Sequence, residues 1–133
     1  MRTASQLLKA YLDNVQDAEL ASSLFAPDGA LELPYLATIG YPWRAEGPEE
    51  VRKFLENVLS LVADFKFHDA KIFIDTSDQV FGEYKVTSTV RATGKPFHQL
   101  YMGRLVAENG KIKLLRESLD SAATQQSFTP GIY

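Results

Sequence analysis

Asn109-Gly110, set between two runs of alternating apolar and polar residues, most constrains this 133-residue chain. Asn-Gly between such runs is a strong hairpin signal. Residues 95–120, KPFHQLYMGRLVAENGKIKLLRESLD, therefore read as two long strands joined by a tight turn. The same stretch carries the best candidate for chemistry, Glu117.

The turn admits two readings. A two-residue loop sets Glu108 against Lys111 and Tyr101 against Ser118. A three-residue loop, with Gly110 at the left-handed position of a bulge, sets Ala107 against Lys111 and Tyr101 against Glu117. A slip of one residue exchanges the faces of a strand. The three-residue loop is preferred here. It places Gln99, Tyr101, Gly103, Leu105, Leu115, Glu117 and Leu119 on one face, a mostly apolar surface with few polar groups, as ligand pockets have. His98, Leu100, Met102, Arg104, Val106, Ile112, Leu114, Arg116, Ser118 and Asp120 form the other face, suited to a partner subunit.

Upstream, Thr3 and Gln6 form a capping box ahead of Leu7, Leu8, Tyr11, Leu12 and Val15 at helical spacing, so residues 3–15 read as a helix. Asp17 caps a second, short helix through Phe25, with Leu20, Leu24 and Phe25 on its buried side. Pro27-Asp28-Gly29 is a turn before a strand at 30–35, in which Glu32 points away from Leu31 and Leu33. Residues 36–47 read as a loop holding Trp43, either a plug over the core or a wall of a pocket. Pro48 opens the clearest helix, with Val51, Phe54, Leu55, Val58, Leu59 and Val62 as its stripe. Strands follow at 64–75 and 80–93. Residues 121–133 read as a tail that packs on a neighbour or frays. Helices followed by strand runs indicate α+β, with helices covering one face of a mostly antiparallel sheet. The length fits one domain spanning residues 1–133.

Composition narrows the function. A net charge of −3 without a basic cluster argues against nucleic acid. The absence of cysteine removes disulfides, thiolate zinc sites and a cysteine nucleophile. No apolar run reaches the ~20 residues that span a bilayer, and the first residues lack a signal-peptide core. A cytoplasmic protein that does not engage membranes is the expectation. His68 and His98 are too few and too far apart for a metal site. No phosphate-binding glycine loop or serine triad appears, and no cofactor is expected.

YLDN followed by LFAPDGALELP, EGPEEVRKFL, ATGKPFHQLYMGRL and NGKIKLLRESLD, in this order, resembles the SnoaL-like and ketosteroid-isomerase-like members of the nuclear transport factor two-like superfamily. The resemblance implies a cystatin-like α+β cone: a strongly curved, mostly antiparallel sheet wrapped around N-terminal helices to form a conical pocket. It also implies a hydrophobic small-molecule ligand and a homodimer formed through the sheet. Tyr11 stands where ketosteroid isomerases place an oxyanion-hole tyrosine, and Tyr101 about where they place a protonated aspartic acid. Leu33 stands near their base, with Glu32 next to it on the opposite face, a departure that argues against that activity. Glu117 is similar to the acid-base glutamate of the phenazine-biosynthesis branch, whose histidine is missing around Phe54. Asp120 lies near the last-strand base of polyketide cyclases.

A carboxyl inside an apolar cone is costly to ionise and serves as acid or base near neutral pH. The expected catalytic set is Glu117, Tyr101 and Asp120. Tyr11, Leu33, Trp43, Phe54, Gln99, Leu115 and Leu119 are the expected substrate-binding residues. The bland reading of Glu117 is an exposed residue paired with Arg116 or Lys85; that of Tyr11 is core packing. Three readings fit: an isomerase, cyclase or hydro-lyase acting on a hydrophobic carbonyl metabolite, a non-catalytic binding module for a hydrophobic metabolite or a protein partner, or a dimeric protein with a filled cone and no ligand.

Overall fold

The computed structural model describes residues 1–131. Helix α1 (Ala4–Asp13) starts at Thr3, whose side chain and that of Gln6 cap each other's backbone N–H groups. Its buried face holds Leu7, Leu8, Tyr11 and Leu12. Helix α2 (Ala18–Ser23) is capped by Asp17. It is shorter than its apolar residues suggest, and Leu20 is exposed. The chain then enters β1 (Phe25–Glu32), which runs straight through the Pro27-Asp28-Gly29 segment expected to turn. The local irregularity there is absorbed as a register shift against the last strand.

A 3-10 turn (Pro34–Ile39) and the short β2 (Arg44–Glu46) order much of the segment expected to be loop. Helix α3 (Gly47–Leu61) begins with Pro48 in its first turn, where a missing N–H costs no intrahelical bond. Strands β3 (Val62–Ala63), β4 (Phe67–Asp75), β5 (Gln79–Val90), β6 (Pro96–Glu108) and β7 (Lys111–Ser118) follow. Residues Ser121–Phe128 form helix α4, where a tail packing on a neighbour or fraying was expected; Ile132 and Tyr133 lie outside the described residues.

The seven strands make one strongly curled, mixed sheet in the order β2-β1-β7-β6-β5, with β3 and β4 both paired to β5. The β1–β7 pairing is parallel and the others are antiparallel. The α+β cone expected from the sequence is therefore the observed fold. Its core lies inside the curl, where α1 and α3 pack on the concave face.

The hairpin corrects the preferred turn. Glu108 pairs with Lys111 and Ala107 with Ile112, so the loop has two residues, Asn109 and Gly110. Both have positive φ, 53° and 74°, which matches the mirror-image turn that Asn-Gly favours. The register then shifts by one: Val106 pairs with Leu114 and Gly103 with Glu117. Lys113 is the extra residue of a bulge. The bulge restores the parity that the longer loop would have given. Gln99, Tyr101, Leu105, Leu115 and Glu117 all face inward and are buried. Ile112, expected on the outer face, is also fully buried, because it precedes the bulge.

Candidate active site

The concave side of the sheet encloses a cavity of about 240 Å³, just under the usual ~300 Å³ lower bound for ligand pockets. Leu31 and Leu33 of β1 form one wall, and Phe54, Leu55 and Val58 of α3 another. Phe67, Phe97 and Tyr101 come from the sheet, Tyr11 from α1, and Thr124 and Phe128 from α4. No Lys, Arg or His is among the described lining residues, and Glu117 is the only carboxylate there.

Glu117 is 2 % exposed. Its Oε2 accepts a hydrogen bond of 2.5 Å from the Tyr84 hydroxyl. Tyr84 lies on β5, two strands away from Glu117, and its phenol reaches across β6 at Gly103. A Cβ at position 103 would overlap the Tyr84 hydroxyl, so the missing side chain is what opens the passage. Interior strand glycines often mark such close approaches. The contact expected across the hairpin, Tyr101 to Glu117, is thus replaced by Tyr84 over Gly103. Tyr101 stacks on Tyr84 with ring centroids 6.0 Å apart and lines the cavity.

Burial raises the Glu117 carboxyl to a pKa of about 7, and the Tyr84 hydrogen bond opposes only part of that rise. Burial also pushes the phenols of Tyr11, Tyr84 and Tyr101 well above their ordinary value; the nearby Glu117 charge pushes the same way. All three tyrosines therefore stay protonated near neutral pH and serve as donors. Tyr84 spends its proton on Glu117. Tyr11 and Tyr101 have no hydrogen-bond partner for their hydroxyls among the described residues, and both line the cavity.

The structure places Glu117, Tyr101, Tyr11, Leu33, Phe54 and Leu119 around one space. Four other expected residues lie elsewhere. Asp120 does not line the cavity: it is the N-cap of α4, with its carboxylate accepting from the Ala123 N–H at 3.0 Å. Gln99 is buried but holds that same joint. Its Oε1 accepts from the Asp120 N–H, while its Nε2 donates to the Asp120 carbonyl and, at 2.7 Å, to Thr124 Oγ1. Leu115 is fully buried behind the cavity wall. Trp43 packs part-buried against the core, and its carbonyl accepts from the Leu33 N–H at 2.7 Å. It is a plug, not a wall. Glu32 stands on the outer face, held by Arg44 at 2.8 Å and Arg116 at 2.6 Å.

Tyr84 and α4 are the parts that sequence reasoning missed. Among the described residues, no group of three or more His, Asp or Glu is arranged to hold a metal ion, and no helix is long and apolar enough to cross a membrane.

Residues 8–115 match the SnoaL-like domain family. The chain belongs to the SnoaL-like family. Solved structures agree on the fold of this SnoaL-like chain. A phenazine biosynthesis-related protein of Pseudomonas aeruginosa is 17% identical with a TM-score of 0.81, covering 98% of this chain and 87% of that one. A candidate polyketide cyclase of Xanthomonas campestris is 17% identical with a TM-score of 0.80, covering 95% and 96%. A nuclear-transport-factor-two-like protein of unknown function from Burkholderia pseudomallei is 18% identical with a TM-score of 0.82, covering 97% and 99%. No curated protein sequence matches the chain. These likenesses show a shared fold.

Proposed function

We propose that this SnoaL-like protein is an acid-base enzyme that moves a proton on a small hydrophobic carbonyl compound. The observation that carries the reading is Glu117, a carboxyl buried in an apolar cavity with its pKa brought to about 7. Near neutral pH both of its protonation states are populated, as a proton shuttle requires. In the ionised state Glu117 removes a proton from the carbon beside the carbonyl. The C–H electron pair moves into the new C=C bond, and the carbonyl π pair moves onto oxygen. Tyr101 and Tyr11 hydrogen-bond the resulting enolate oxygen, their hydroxyls being unengaged within the chain. Return of the proton from Glu117 to a different carbon of a conjugated enolate completes an isomerisation. Attack of the enolate carbon on a second carbonyl carbon of the same substrate, with that carbonyl's π pair moving to oxygen and the proton passing from Glu117 to the alkoxide formed, completes a cyclisation. Tyr84 does not touch substrate in this scheme; it orients the carboxylate through Oε2.

The phenazine-related and cyclase-like proteins that share the fold favour small organic substrates for this chain too. The test is proton exchange into a panel of small hydrophobic ketones and enones in deuterated buffer, followed by NMR. The wild-type protein is expected to catalyse exchange beside the carbonyl of at least one member. Glu117→Gln is expected to slow it by about 100-fold or more while the same compound still binds. Exchange that survives the substitution would remove Glu117 from the chemistry. Binding without exchange across the panel would make the cavity a binding module.

A further inference from the structure

Only one oxygen of the Glu117 carboxyl is committed. Oε2 accepts from Tyr84, while Oε1 has no hydrogen-bond partner among the described residues. No buried side-chain oxygen or nitrogen among them is sealed in without a partner, so Oε1 opens on the cavity. The titratable groups that face the carboxyl are phenols: Tyr11 of α1, Tyr84 of β5 and Tyr101 of β6. Charged side chains of the surrounding elements stand on their other sides. Lys9 pairs with Asp13 on the exposed side of α1, Arg52 with Glu56 and Lys53 with Glu49 on that of α3. Glu32 of β1 is held by Arg44 and Arg116, and His68 of β4 by Asp69. Glu83 and Lys85 of β5, and His98 and Arg104 of β6, alternate with the inward tyrosines. Helix α4 carries no charge. Once ionised, Glu117 has no counter-ion among the described residues.

A buried carboxylate without a partner is unfavourable. The chain resolves this by keeping a proton on Glu117; a positively charged ligand resolves it equally well. A metal ion takes several oxygen ligands, which one carboxylate amid hydrocarbon does not supply. An organic cation asks for less. One carboxylate oxygen meets the charge, and aromatic rings, whose faces attract cations, meet the rest. The walls beside Glu117 are of that kind. Phe67 packs against Phe65, Tyr101 and Tyr11 with ring centroids 5.3, 5.4 and 6.3 Å apart, and all four rings line the cavity. The same walls reject anions: a carboxylate or phosphate would meet Glu117 and no positive charge.

We propose that the cavity also takes small apolar ammonium compounds, held as cations with Glu117 as counter-ion and the surrounding aromatic rings as cage. This ligand class rests on the cavity and its carboxylate, not on proton transfer. NMR titration with phenyltrimethylammonium and with its uncharged isostere, tert-butylbenzene, tests it. Phenyltrimethylammonium keeps its charge at every pH, so the pH dependence of its binding reports the protein. A proton on Glu117 competes with the cation. Binding should therefore tighten about tenfold per pH unit below the carboxyl's value of about 7 and level off above it. tert-Butylbenzene should bind no tighter at pH 8 than at pH 5. Glu117→Gln should abolish the pH dependence and weaken the cation at pH 8 by about 100-fold or more. The same variant should hold tert-butylbenzene to within about threefold, the apolar contacts being unchanged. A cation that binds no tighter at pH 8 than at pH 5 overturns the proposal, as does one that Glu117→Gln holds equally well. Cation binding in a protein that exchanges no ketone proton keeps this proposal and refutes the catalytic one. Proton exchange without cation binding does the reverse.

Discussion

Glu117 should make this protein lose stability as the pH rises through the neutral range, against the habit of most carboxylates. The carboxyl titrates near 4.5 when free and at about 7 in the fold. Between those values the folded chain holds a proton that the unfolded chain has released, so stability falls as pH rises. The contribution is fully present below about pH 4.5 and is lost once the pH passes 7. Moving a pKa from 4.5 to about 7 corresponds to about 3 kcal/mol at high pH. Glu117→Gln keeps the shape and an acceptor for the Tyr84 hydroxyl but cannot ionise. Relative to wild type, the variant should gain about 3 kcal/mol between pH 4 and pH 8. In a domain of this size that is roughly 10 °C in melting temperature. Urea unfolding of both proteins across that range measures the gap directly, and the pH dependence of every other group cancels in the difference. A gap that stays constant from pH 4 to pH 8 would mean that Glu117 titrates normally, and the acid-base reading would fall with it.

Two further substitutions probe the shell around that carboxyl. Gly103→Ala puts a methyl group where the Tyr84 hydroxyl passes. It should cost about 1–3 kcal/mol by overpacking and raise the Glu117 pKa further, since the lost hydrogen bond had held it down; a carboxyl NMR titration unchanged from wild type would contradict this. Gln99→Ala removes the bonds that fix the start of α4. It should cost about 1–3 kcal/mol and speed amide exchange within α4 selectively, whereas equal acceleration across the whole sheet would show a global rather than a local role.

The inward face of the last hairpin was legible from alternation alone, because burial on one side imposes a period of two. Apart from Ile112, which lies ahead of the bulge, the residues on it came out correctly although the turn did not. A two-residue turn plus a one-residue bulge has the same parity as a three-residue loop, and parity is all that alternation reports. Tyr84 was out of reach for a different reason. Its partner is 33 residues away and on a strand that is not its neighbour. The available signal was Gly103, an unexplained gap in the middle of an otherwise well-filled strand face, flanked by a tyrosine at matching depth on β5. Asp120 was read as the end of a strand because it follows one. Its neighbours Ser121, Ala122 and Ala123 are an ordinary helix start, and recognising that would have turned the tail into the wall that carries Phe128. Trp43 had no periodic context at all, so either role assigned to it was open.

The bulge at Lys113 also sets a rule for how this hairpin can change length. What keeps Glu117 inside is the total count of residues between it and Gly103, not the shape of the turn. Gain or loss of one residue anywhere in that interval turns the carboxyl to the solvent and brings a serine or an arginine inward. Gain or loss of two leaves the inward face as it was. Length variation that keeps the site should therefore come in even steps, or in paired single steps that cancel. The tip of the hairpin is free to vary in sequence as long as that count is honoured.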